Sequence, residues 1–154
     1  MQTTAATRLR LDAQHTSLVA DAAPELVLAV GVRRVADEVF RHDPPTPLEM
    51  EQAIDAVEDA LTRSRERHAE RGELVTSDPL LTVWVTAGSV PTGRTTLTRD
   101  DVEGLFDRLA SAALGHPRAL ADLPRGRDAA AALLILRECM HHLGYTSIAV
   151  AETA

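Results

Sequence analysis

The 154 residues contain no lysine and no asparagine. Without lysine there is no amine for a Schiff base and no ammonium for a P-loop; without asparagine there is no N-glycosylation acceptor. All 16 basic side chains are therefore arginines, a bias that points to a GC-rich coding sequence rather than to a chemical demand. Aromatics are scarce at 3%: Phe40, Trp84, Phe106 and Tyr145. The core has to be built from Leu, Val, Ile and many Ala, which suits closely packed helices. Cys139 is the single cysteine, so no intrachain disulfide forms and an oxidising compartment gains no support. Long apolar runs are missing too. The N-terminal one, Leu26 to Val32, is too short to span a bilayer, and the segment before it carries Asp12 and Asp21 in place of a cationic start. A cytoplasmic protein with no membrane partner is expected. The net charge of -7 argues against nucleic acid as a partner, because phosphate contacts need a basic surface.

What is present reads as helices. Residues 1–23 show only a brief alternation at Leu9-Arg10-Leu11 and are expected to form a loosely ordered arm, with a short edge strand as the alternative. From Pro24, the spacing of Leu28, Val32, Val35, Ala36, Val39 and Phe40 predicts a helix that Asp43-Pro44-Pro45 stops. The next helix has the clearest signals. Thr46 is its cap, Pro47 its first residue, Glu49 the capping-box partner, and Met50, Ala53, Ile54, Val57 and Leu61 its buried stripe. Acids crowd its first half and arginines its end, which opposes the helix dipole at both termini. Residues 80–86 read as a short helix started by Ser77-Asp78-Pro79, with a strand as the alternative on β-propensity. Thr98 and Asp101 cap a further helix. A last one ends at Gly144, and its stretch Ala129–Leu136 is apolar without interruption, the pattern of a helix surrounded on all sides. The expected fold class is all-α, an irregular bundle of four to six helices around the C-terminal one, with residues 24–151 as a single helical domain.

Two strings invite a chemical reading. Gly88-Ser89-Val90-Pro91-Thr92-Gly93-Arg94-Thr95 has P-loop spacing, but arginine replaces the lysine and no helix follows at once, so it reads as a turn. Glu138-Cys139-Met140-His141-His142 places a carboxylate three and four residues from two imidazoles. Glu138, His141 and His142 are therefore candidate ligands for a transition metal, the one cofactor considered. Further acid–imidazole groupings at Glu38 with His42, and at Glu66, His68 and Glu70, look solvated. Cys139 beside His141 suggests a nucleophile only weakly, since a lone cysteine in an apolar helix is usually a small buried hydrophobe. The acidic face Glu51, Asp55, Glu58 and Asp59 is a candidate surface for a protein partner, and Trp84 is read as a core or interface anchor. With no complete catalytic constellation, the expected function is a non-catalytic helical accessory or interaction protein that forms a homodimer. The alternative is a metal-binding protein or metal-dependent enzyme built on Glu138, His141 and His142.

Overall fold

A computed structural model describes residues 6–21, 24–64, 72–89 and 95–151, with the backbone alone at Pro117. Residues 7–19, expected as a loose arm, form two strands near the middle of a sheet. β1 (Thr7–Leu11) and β2 (Thr16–Val19) make an antiparallel hairpin, and β3 (Leu26–Leu28) continues it on the far side of β2. β4 (Glu73–Thr76) lies parallel to β1, and β6 (Ser147–Val150) lies parallel to β4. β5 (Thr96–Thr98) closes the sheet antiparallel to β6. The order is β3-β2-β1-β4-β6-β5 in one six-stranded mixed sheet. The all-α expectation is therefore corrected: the fold is α/β.

The sheet carries its own alternation. Leu9, Leu18, Leu26, Leu28, Leu74, Leu97 and Ile148 are buried, while Arg8, Arg10, Val19, Val27 and Thr98 point to the opposite, exposed face. The helix predicted from Pro24 is corrected as well. Its Leu26-Val27-Leu28 is β3, and only the stretch after Gly31 coils, ending as a π-helical turn at Arg34–Val39 with Phe40 N donating to Val35 O at 2.8 Å. Val35, Ala36 and Phe40 are still buried, so the stripe was read correctly and its geometry was not.

Among the described residues there are four α-helices, α1 (Pro47–Ser64), α2 (Pro79–Ser89), α3 (Arg99–Ala113) and α4 (Arg127–Leu143). Residues 80–86 are helical, within α2. The Thr98–Asp101 capping box is formed in both directions: Asp101 N donates to Thr98 Oγ1 at 3.1 Å and Thr98 N to Asp101 Oδ2 at 2.9 Å. α4 ends at Gly144, whose left-handed backbone (φ 79°) favours glycine. Every residue from Ala129 to Leu136 is at most 5% exposed, and α1, α2, α3 and the π-turn all pack against α4. Trp84 fixes α2 to its start, with Nε1 donating to Ala129 O at 2.8 Å. Burying the four large residues Leu133–Leu136 stabilises the fold by about 1.5–3 kcal/mol each.

One crossing of backbones joins the two halves of the β1–β2–β3 unit. Val32 N donates to Asp12 O (3.1 Å) and Arg33 N to Ala13 O (3.0 Å), which presses the β1–β2 turn onto Gly31. A Cβ on Gly31 would stand 2.4 Å from each of those carbonyl oxygens, and both belong to backbone that cannot swing aside. Gly104, inside α3, has open space around it. Gly31→Ala is thus expected to lower stability by about 1–3 kcal/mol or more, whereas Gly104→Ala should raise it by about 0.5–1 kcal/mol. Chemical denaturation of both variants checks this; a neutral Gly31→Ala would mean the crossing is not made.

Candidate functional sites

Because β1, β4 and β6 are parallel, their carboxyl ends share one edge of the sheet, where open α/β sheets hold ligands. Leu11 leads there into the Asp12–His15 turn, Thr76 into Ser77-Asp78 and the start of α2, and β3 into Gly31 and Arg33. Asp12, His15, Arg33 and Ser77 are exposed at this end of the sheet. Asp78 is its most constrained group. Its Oδ1 accepts from Leu80 N at 3.0 Å, capping α2, and its Oδ2 accepts from Leu11 N at 3.2 Å, at the end of β1. The turn is set by Thr76 Oγ1, which accepts from Asp78 N at 3.0 Å and donates to Leu9 O at 3.1 Å. A helix N-terminus attracts negative charge, and in this protein an internal carboxylate supplies it. The Ser77-Asp78-Pro79 string announced the helix start; nothing in it announced the bond to β1.

A second group of polar side chains lies where α4 crosses α1. Glu138 is fully buried. Its Oε1 accepts from Arg137 Nη1 at 2.7 Å, and Arg137 Nε in turn donates to Glu103 Oε1 at 2.9 Å while the guanidinium lies 4.7 Å from the Phe106 ring centroid. Glu138 Oε2 stands 3.0 Å from His142 Nε2, and Glu58 Oε1 of α1 stands 3.2 Å from the same nitrogen. The two carboxylates and the imidazole bring one ligand atom each to within 4.8 Å of the others. Of the metal candidates from sequence, Glu138 and His142 therefore meet and His141 does not. His141 is exposed, its ring edge-on to that of His142 at 5.1 Å. Glu58 joins instead, from a helix 80 positions earlier in the chain, and no spacing rule reaches across that distance.

The other candidates are dispersed. Glu51, Asp55 and Asp59 are exposed on α1, while Glu58 turns toward His142. Trp84 is fully buried and offers no surface to a partner. Glu38 is exposed, and His42 pairs with Glu49 through a 2.6 Å contact. Glu66, His68 and Glu70 lie outside the described residues, as do Val90–Arg94 of the P-loop-like string. Burial, and then the neighbouring Glu138 carboxylate, push the Cys139 thiol up to about 12, so it is neutral and a poor nucleophile.

Solved structures supply the first outside bearing. An Aquifex aeolicus Ppx/GppA phosphatase superposes on 97% of the chain with TM-score 0.71 at 14% identity, the chain covering 53% of it. The fold resembles half of a Ppx/GppA phosphatase. A second structure of a PPX-GPPA enzyme from Aquifex aeolicus matches 96% of the chain with TM-score 0.70 at 14% identity, the chain covering 53% of it. An exopolyphosphatase from Cytophaga hutchinsonii matches 98% with TM-score 0.64 at 12% identity, the chain covering 54% of it. The chain thus spans about half the length of these proteins, and at such identities the likeness establishes the fold. No protein-family model and no curated protein matches the sequence. The expectation of a non-catalytic helical accessory protein is corrected by this result, because the fold is α/β and resembles that of these structures, not a helical bundle. Among the described residues, no helix is long and apolar enough to cross a membrane.

Two measurements test the local chemistry. Cys139 should stay unmodified by an aromatic disulfide reagent in the native protein and react at the rate of unfolding; fast modification without denaturant would contradict its burial. Glu49 is the stronger test. Burial alone would raise its carboxyl. The hydrogen bonds from the His42 ring, the amides of Arg41 and His42 and the Thr46 hydroxyl outweigh that and hold it at about 2, against an ordinary 4.5. A depressed folded-state value means stability that is complete above pH 4.5 and is lost as the pH falls through about 2. Glu49→Gln should cost about 1–3 kcal/mol at neutral pH and flatten the acid limb of the stability–pH curve. Parallel curves for parent and variant down to pH 2 would remove the assignment.

Proposed function

We propose that this chain is a phosphatase-fold module that takes a phosphorylated ligand, of the phosphoanhydride kind, at the carboxyl ends of β1 and β4. The observation that carries the reading is the match of nearly the whole chain to half of the Ppx/GppA phosphatases, together with exposed polar residues at the strand ends where such sheets hold ligands. The electrostatics narrow the form of the ligand. Asp78 already fills the anion position at the start of α2, and exposed Asp12, next after the Leu11 whose amide Asp78 accepts, adds a second acid at the same end of the sheet. A bare polyanion is repelled there, while a phosphate chain carrying a divalent cation is attracted to the same two acids. Arg33, held toward Asp128 by a 3.3 Å contact, stands at the rim to meet phosphate oxygens. Turnover belongs to an arrangement in which a second body of similar size closes over this end of the sheet, as the greater length of the solved neighbours suggests. A cytoplasmic location fits this reading, since phosphoanhydrides and divalent cations are abundant there.

The test is thermal unfolding with tripolyphosphate and magnesium, separately and together. Saturation to about 100 times the dissociation constant should stabilise the chain by about 2.7 kcal/mol, with the two together giving a larger shift than the sum of each alone. Asp12→Asn, an exposed position, should abolish the combined shift without lowering the melting temperature of the free protein. No cooperative shift, or a shift that Asp12→Asn leaves intact, would refute the reading.

A further inference from the structure

We infer that Glu58, Glu138 and His142 form a binding site for one divalent transition-metal ion that ties α1 to α4. The site stands apart from the carboxyl ends of β1 and β4. α1 and α4 run toward the starts of β4 and β6, so the cluster lies at the opposite end of the parallel strands, and the inference does not depend on the proposed function.

The donor set comes first. One imidazole nitrogen and two carboxylate oxygens converge, a mixture that suits zinc, manganese or ferrous iron better than magnesium or calcium, which favour oxygen alone. The spacing agrees. Ligand atoms bound about 2.0–2.2 Å from a tetrahedral ion stand about 3.3–3.6 Å apart, and His142 Nε2 already stands 3.0 Å from Glu138 Oε2 and 3.2 Å from Glu58 Oε1. The two carboxylate oxygens lie within 4.8 Å of each other. Seating an ion therefore opens the two contacts to His142 by a few tenths of an ångström and draws the carboxylates onto a common centre, with a fourth position open to water because His142 is exposed.

The support around the ligands is the second, independent observation. Glu138 has no exposed surface, and Arg137 grips its Oε1 at 2.7 Å, which aims Oε2 at the cluster and leaves it no rotational freedom. Arg137 is itself held by Glu103 at 2.9 Å and by the Phe106 ring. This is the outer-shell bracing that orients a metal-ligating carboxylate. Charge points the same way. Glu58, Glu103 and Glu138 carry three negative charges against the single guanidinium of Arg137, and a divalent cation would neutralise the excess when His142 is neutral.

The experiment is calorimetric titration of the untagged chain with zinc, repeated with cobalt to read its absorption bands. One ion per chain, with a dissociation constant of about 10 μM or tighter, a rise in melting temperature and cobalt bands of a four-coordinate nitrogen–oxygen site are expected. His142→Gln and Glu58→Gln change exposed or half-exposed side chains and should leave the chain folded. Each should weaken binding by more than the roughly 10–100-fold that loss of an outer-shell partner costs. His141→Gln, next in sequence and outside the cluster, should change affinity by less than about twofold, a shift worth under half a kcal/mol. Binding no tighter than millimolar overturns the inference, as does zinc binding that survives both ligand substitutions or falls equally with His141→Gln.

Discussion

Helix α4 has to be covered on every side. From Ala129 to Leu136 it offers water no face, so each of its neighbours is placed by the need to meet it. α1, α2, α3 and the π-turn pack against it, and the Trp84 indole is tied to its first turn. The buried leucines of β1, β2, β3 and β4 belong to the same continuous core. The strands are three to five residues long, too short for any pair of them to be stable alone. Packing of a buried apolar face is what holds such strands in register, since a slip of one residue would turn Leu9 and Leu18 outward and Arg8 and Arg10 inward.

That dependence explains which features could be read in advance. Uninterrupted apolar residues announce that a helix is enclosed, but they carry no information on whether helices or a sheet enclose it. α4 was legible as the centre and the sheet around it was not. Local signals fared better: Thr98 with Asp101 and Gly144 act within four residues and do what their spacing implies, and Thr46 caps Glu49 N, though the Glu49 carboxylate turns to the Arg41 and His42 amides in place of closing the box. The strands fail that criterion. β1 pairs with β4 across more than sixty residues, and β4 with β6 across more than seventy. Leu26-Val27-Leu28 was also misleading, because the apolar positions that follow it at helical spacing are in a π-turn, so the helical period appeared to extend backward through a strand.

The side-chain clusters divide along the same line. Glu138 and His142 lie one turn apart on a single helix, so their meeting follows from position alone. His141 is rotated by about 100° from its neighbour on the same helix, which is enough to exclude it from a site facing α1. Glu58 enters through tertiary packing. Its exposed companions Glu51, Asp55 and Asp59 give no hint that one member of the acidic face is turned inward.

Asp78 shows how a fold can resemble its solved neighbours at 14% identity. Where β4 passes into α2, the backbone presents unpaired amides of a helix start beside the last amide of β1, and that arrangement requires negative charge or a polar acceptor whatever the sequence. A bound anion meets the requirement from outside. A carboxylate one residue before the helix meets it from inside, bonding Leu80 N with one oxygen and Leu11 N with the other. The same backbone is satisfied in either case, so the fold does not register the exchange, while the local electrostatics do: a helix start already occupied by the Asp78 carboxylate repels further negative charge.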